Sequence, residues 1–157
     1  GEKFLITAGP TQAPLDPVRF ITNFSSGKMG YALAIAAPRR GAQVTLISGP
    51  TNLAVPPVER LISVRTASEM HKAVMENYKK ATIIIKAAAV ADYRPKEFSK
   101  DKLKKAGKTL SLNLEKNPDI IAEIGKNKGN RIVVGFAMET RNLLANAREK
   151  LSRKKWI

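Results

Sequence analysis

The sequence predicts an α/β fold, a mostly parallel sheet with helices on both faces, on three observations. Short apolar runs rich in β-branched residues recur along the chain, at "EKFLITAG", "AQVTLISG", "ATIIIKAAAV" and "NRIVVGFA". Runs of this length suit strands buried on both faces. Between them lie segments with helical spacing, and such alternation without a long all-β stretch is the pattern of a covered parallel sheet. With 157 residues, 43% of them hydrophobic, the chain is sized for one domain with a proper core.

The elements follow in order. "EKFLITAG" is the first strand and stops in the turn at Gly9-Pro10. Residues 27–40 make the first helix, with Ser25 or Ser26 as cap, Pro38 kinking or ending it, and Gly41 as its left-handed stop. "AQVTLISG" is the second strand; after a turn at Pro56-Pro57, "LISVRTA" is the third. "SEMHKAVMENYKK" has helical periodicity with Ser68 as its cap, and "ATIIIKAAAV" is the fourth strand. "KEFSKDKLKKAGK" is a mobile, lysine-rich loop, followed by a short strand excursion at "TLSLNLE", which alternates as if one face were wet. Asn117-Pro118 opens another helix, Asn as cap and Pro at the first helical position. "NRIVVGFA" is a further core strand and "NLLANAREKLSRKKW" a helix with a basic end. Alternation predicts one more strand after Ile157, so residues 1–157 are expected to form a single domain truncated at its C-terminus.

Composition narrows the function. There is no cysteine, hence no disulfide framework and no thiolate site, which fits an expected cytoplasmic location. No apolar run approaches the ~20 residues of a membrane helix, and no charged-then-apolar leader opens the chain, so no membrane partner is expected. A formal charge of +15 calls for an anionic partner: nucleic acid, a membrane surface or a phosphorylated small molecule. No base-stacking aromatic motif and no zinc spacing accompany that charge, which argues against nucleic acid and for a compact polyphosphate.

In a sheet of this kind ligands sit at the carboxyl ends of the strands, where the loops 9–27, 88–95 and 135–140 converge. "TNFSSGKMG" lies in the first of these. Read as a P-loop it fails twice, with Thr22 in place of glycine and Met29 in place of Ser or Thr. As a nicotinamide fingerprint it sits too far from the first strand, and "LISGPT" offers no acidic residue after the second. Two readings of the turn remain open: a helix-start anion site made of free amides, serine hydroxyls and a lysine, or glycines that merely allow close packing. Lys100, Lys102, Lys104 and Lys105 read by default as a solvated run, and Asp92 as either a turn former or a ligand contact. His71 reads as inert surface, and Met29, Met70, Met75 and Met138 as core filler.

Longer motifs carry more. "ITAGPTQAPLDPVRFITNFSSGKMGYALA", "AAAVADYRP", "DKLKK", "NPDII" and "VGFAMET" stand in the order seen in bacterial phosphopantothenoylcysteine synthetase, and the chain resembles that family from Leu5 to about Lys155. The resemblance implies a Rossmann-like ligase of coenzyme A biosynthesis, dependent on CTP with Mg2+ or Mn2+. It would join 4'-phosphopantothenate to cysteine through an acyl-cytidylate, releasing pyrophosphate and then CMP. It also implies a homodimer, a fusion in the full-length protein to a flavin-dependent decarboxylase, and no FMN in this chain. Two other classes stay as alternatives: a nicotinamide-nucleotide reductase and a basic nucleic-acid-binding module.

Matched residue by residue, the resemblance gives Asn23 and Lys102 the catalytic roles, Asn23 handling the acyl-cytidylate and Lys102 acting on the loop over CTP. It implies CTP contacts at Ala88, Asp92, Lys102, Pro118, Asp119, Ile120, Ile121, Phe136, Lys150 and Lys154. Phosphates would lie against Gly9, Pro10, Thr11, Ser25, Ser26 and Gly27; no metal ligand is implied. Ala13, where relatives usually have an acid, Met138, where alanine is common, and Pro38, within a helix usually free of proline, depart from the family pattern.

Overall fold

The computed structural model describes residues 1–104, 107–136, 138 and 142–154, and of residues 143, 150, 153 and 154 the backbone alone. In chain order the elements are β1 (Lys3–Ala8), β2 (Gln12–Pro14), β3 (Phe20–Thr22), α1 (Lys28–Ala36), β4 (Gln43–Ser48), β5 (Arg60–Ser63), α2 (Ala67–Asn77), β6 (Ile83–Lys86), β7 (Tyr93–Pro95), β8 (Leu114–Lys116), α3 (Ile120–Lys126), β9 (Ile132–Gly135) and α4 (Leu143–Lys154). Single 3-10 turns follow α1 at Pro38–Arg40 and α2 at Tyr78–Lys80.

Five strands pair in the order β5-β4-β1-β6-β9, every pair parallel. Side chains alternate across a strand, so neighbours in sequence serve opposite faces. Leu5, Ile47, Ile84 and Val133 face α2 and α3, packing on Met70, Val74, Ile121 and Ile124. Ile6, Val44, Leu46 and Ile85 face the other way, onto Tyr31 and Ala34 of α1. The expected fold class is present: a parallel sheet covered by helices on both faces.

Several local expectations are corrected. The first helix ends at Ala36, because Pro38 starts a tighter turn; Gly41 (φ 77°) is the left-handed stop. Its N-cap is Gly27 and not a serine. Helix α2 is capped by Thr66, whose hydroxyl accepts from the Glu69 amide while Glu69 accepts from the Thr66 amide; Ser68 already lies inside the helix. Helix α3 is capped by Asp119, leaving Asn117 and Pro118 ahead of it. Of "TLSLNLE" only Leu114–Lys116 is strand, and Leu110 and Leu112 are exposed, since its partner β7 is itself three residues long. His71 is not inert: its Nε2 meets Glu123 at 2.6 Å and ties α2 to α3.

An element absent from the sequence reading matters most for the site. β2 and β3 form a short antiparallel hairpin standing on the carboxyl end of the sheet. The Gln12 amide donates to the Arg65 carbonyl beyond β5, and Arg65 Nε donates to Gln12 Oε1. The same guanidinium stacks over Phe20. Three-residue strands have too few hydrogen bonds to stand alone, so these ties hold the hairpin down.

Candidate active site at the switch point of the sheet

Chain order reverses between β1 and β6: one half of the sheet continues outward from β1, the other from β6. The loops leaving such a pair diverge and open a crevice above the strand ends. Here the two loops are stitched across its base. The Thr11 amide donates to the Ala89 carbonyl, the Ala89 amide to the Gly9 carbonyl, and the Ala91 amide to Thr11 Oγ1. Thr22 Oγ1 donates to the Thr11 carbonyl, bringing the outgoing strand of the hairpin back over β1. Asn23 follows directly, and its Nδ2 donates to the Ala89 carbonyl at 3.2 Å. Asn23 therefore sits at the switch point itself, exposed and anchored by one of its amide hydrogens.

The start of α1 closes the other side. Gly27 adopts φ 76°, a left-handed geometry that side-chain-bearing residues resist, and a Cβ there would lie 2.7 Å from Thr51 Cγ2. Ser25 Oγ accepts from the Gly27 amide and Ser26 Oγ from the Lys28 amide, both at 3.4 Å. The first-turn amides of a helix have no intrahelical acceptor, so this end is positive whatever the serines do. Gly30 answers the packing question: a Cβ there would come 2.4 Å from the buried Ala8 Cβ. Gly30 is thus required for helix-on-strand contact, while Gly27 shapes the turn.

The predicted phosphate-binding residues separate by exposure. Gly9, Pro10, Thr11 and Gly27 are buried and form the floor; Ser25 is half-buried and Ser26 exposed. The Thr11 hydroxyl accepts from the Ala91 amide and lies out of solvent, so Thr11 also braces the loop.

A second group gathers beyond β6. Asp92, Pro118, Asp119 and Ile120 line one small cleft of about 50 Å³ together with Lys86 and Lys116. Ala88 is half-buried against the core with its amide on Thr7 Oγ1, and Phe136, just past β9, is half exposed. Ile121 is fully buried in the core and packs with α2 and the sheet. Lys150 and Lys154 lie on α4, with side chains outside the described residues. Phe98 and Arg94 line a separate cleft of about 320 Å³, which none of the predicted site residues lines. Among the described residues no three His, Asp or Glu side chains converge as a metal cage.

Sequence reasoning missed three contributors. Asn117 is buried, with Nδ2 on the Ala91 carbonyl and Oδ1 accepting from Arg94 Nη1, so it holds the 88–95 loop and does not cap α3. Asp16 and Arg19 organise the hairpin turn. Asp16 Oδ1 accepts from the amides of Val18 and Arg19, both at 2.8 Å, and Oδ2 from Arg19 Nε and Nη2 at 2.9 and 2.6 Å. Oδ2 also accepts from the Leu103 amide at 3.0 Å, and Arg19 Nη2 donates to the Leu103 carbonyl at 2.7 Å. The lysine loop next to exposed Lys102 is therefore pinned to the hairpin. Burial alone would raise the Asp16 pKa; the bonds from Arg19 and then from the Leu103, Val18 and Arg19 amides prevail and hold it well below the usual carboxylate range. The Asp-Pro-x-Arg spacing at 16–19 was a readable signal, since an Asp at a turn start commonly accepts amides two and three residues on.

Comparison with known proteins places this geometry. A family described as DNA/pantothenate metabolism flavoprotein C-terminal domain matches residues 1–156. The coenzyme A biosynthesis bifunctional protein CoaBC of Vibrio cholerae is 51% identical over 98% of this chain, and that of Escherichia coli K12 51% identical over 96%. The chain spans about two fifths of these relatives, 39% and 38% of their lengths. The crystal structure of a CoaBC C-terminal domain superposes with a TM-score of 0.88 at 44% identity, over 99% of this chain and 74% of that one.

Proposed function

The chain belongs to the DNA/pantothenate metabolism flavoprotein C-terminal domain family, and from that premise we propose that it is a phosphopantothenate–cysteine ligase of coenzyme A biosynthesis. The relatives are bifunctional proteins of coenzyme A biosynthesis, which supports the pathway. The observation that carries the reaction is the placement of Asn23 at the switch point, beside a positive helix start.

A carboxylate resists attack by an amine until it gains a good leaving group. We assign that role to CTP: the 4'-phosphopantothenate carboxylate attacks the α-phosphorus, pyrophosphate leaves, and an acyl-cytidylate forms. The amine of cysteine then attacks the acyl carbon, giving the amide and CMP. Two anions meet in the first step, so fixed positive charge lowers the barrier. Lys102 supplies it from the loop, and the start of α1 with Ser25 and Ser26 supplies it from the floor. In the second step Asn23, with one N–H on Ala89, keeps a further N–H and its carbonyl for the acyl oxygen and the incoming amine. Asp92, Asp119 and Ile120, which line one small cleft, are assigned to contacts with the cytidine, and Phe136 to packing on its base. Mg2+, when bound, would supply Lewis-acid polarisation of the triphosphate.

The assembly is proposed as a homodimer. Val18, Phe20, Ile21 and Phe24 are exposed apolar side chains on the hairpin and beside Asn23, of the sort a second copy covers. A fusion to a flavin-dependent decarboxylase belongs to the same reading.

Titration calorimetry with CTP, ATP and NADPH, each with magnesium, tests it. Tightest binding of CTP is expected, and a preference for NADPH overturns the ligase reading.

A further inference from the structure

The Asp16 carboxylate has no role in the reaction above, yet it accepts five hydrogen bonds. Its side chain is completely buried, and it accepts from Arg19 and from the amides of Val18, Arg19 and Leu103. The Leu103 peptide is gripped at both ends, its N–H by Asp16 and its carbonyl by Arg19, across more than eighty residues of sequence. A further bond, from the Ser99 amide to the Leu15 carbonyl, fixes the loop four residues earlier. Lys102 lies between these two anchor points. On the hairpin side, Arg19 leads into β3, whose last residue Thr22 is bonded to Thr11, and Asn23 follows at once.

We propose that Asp16 and Arg19 are a positioning pair that sets Lys102 relative to Asn23, linking the group for cytidylate formation to the group for amide formation. The inference rests on the ligase reading for the roles of those two residues; the latch itself rests only on geometry. An exposed lysine on a free loop samples many positions, and each useful contact must then repay the ordering cost. Two backbone bonds, one to the buried Asp16 carboxylate and one to its half-exposed arginine partner, remove most of that freedom before the nucleotide arrives. An arginine is required here, because its planar fork serves Asp16 with two nitrogens while one of them also reaches the Leu103 carbonyl. A lysine has no such fork.

Two readouts test the latch and its function separately. Brief trypsin digestion, followed by mass spectrometry, reports cuts after Lys100, Lys102, Lys104, Lys105 and Lys108. In Asp16→Asn these cuts are expected to appear at least tenfold faster than in wild type, while cuts after Lys72 and Lys126 keep their rates. Wild-type cleavage across the loop overturns the latch. Arg19→Lys keeps the charge without the fork and is expected to free the loop in the same way; should Asp16→Asn not fold, a wild-type loop in Arg19→Lys overturns the proposal instead. The second readout is CTP-dependent pyrophosphate release by the protein. Asp16→Asn is expected to lose at least tenfold, and Asp16→Asn/Lys102→Ala to be no slower than Lys102→Ala alone. Additive losses overturn the coupling to Lys102. Full activity in Lys102→Ala overturns the functional assignment of the loop, and digestion then judges the latch by itself.

Discussion

The floor of the crevice and the loop above it are held in opposite ways. At the floor, position follows from sterics and backbone: Gly30 lets α1 sit on Ala8, Gly27 turns the chain with a positive φ, and backbone bonds stitch residues 9–11 to Ala89. The lysine loop has little core beneath it and depends on one buried carboxylate and one guanidinium. Close packing has no intermediate setting, so the floor keeps its shape until it fails. A hydrogen-bonded latch can be weakened by degrees. A group that must be fixed throughout the reaction belongs on the first, and a group that must meet and release a nucleotide belongs on the second.

The sharpest test of that contrast is chemical. Asn23→Asp replaces an amide donor with a charged acceptor on the rigid side, and should slow amide formation by about 10²–10³-fold, as losing an oxyanion donor does. Pyrophosphate release should suffer much less, and quench-flow measurement of both steps separates them. Equal losses in both would dissolve the proposed division between floor and loop.

Breaking the floor comes next. Gly30→Ala drives a methyl against Ala8 and should cost about 2 kcal/mol net of its gain in helix propensity. Calorimetric melting should fall by roughly 4–8 °C. A variant as stable as wild type would show that helix and strand can separate freely.

The latch is probed by acid. The folded Asp16 pKa is depressed below the ordinary 3.8, so the unfolded chain binds more protons in this range and stability rises with pH. The Asp16 contribution is complete above about pH 4–5 and is lost as pH falls through 3.8 toward the lower folded value. Urea midpoints of wild type should therefore drop more steeply below that pH than those of Asp16→Asn. Parallel curves would mean that the carboxylate is not held ionised by the fold.

The smallest effect is expected away from both regions. His71→Ala removes the contact with Glu123 between α2 and α3, a partly exposed pair worth about 0.2–1 kcal/mol. Denaturant unfolding should register it while trypsin cuts in the lysine loop at its wild-type rate.

Much of this was legible in the chain. The apolar runs and helical spacings identified the sheet and its helices because burial imposes period and length on a sequence. The order of long motifs pointed to Asn23 and Lys102 as the candidates for the chemistry. Caps were misplaced by one or two residues, at Ser68 for Thr66 and Asn117 for Asp119, because several polar residues compete at each helix start and local sequence does not rank them.

What the sequence determined by itself is therefore the layered α/β architecture and the family of motifs at its strand ends. Which strands lie side by side, and hence where the crevice opens, was decided by tertiary structure alone. So was the bond between Asp16, Arg19 and Leu103, because partners more than eighty residues apart leave no periodic trace in the chain. Local sequence encodes what each segment must bury, whereas only the folded whole decides which buried charge meets which distant backbone.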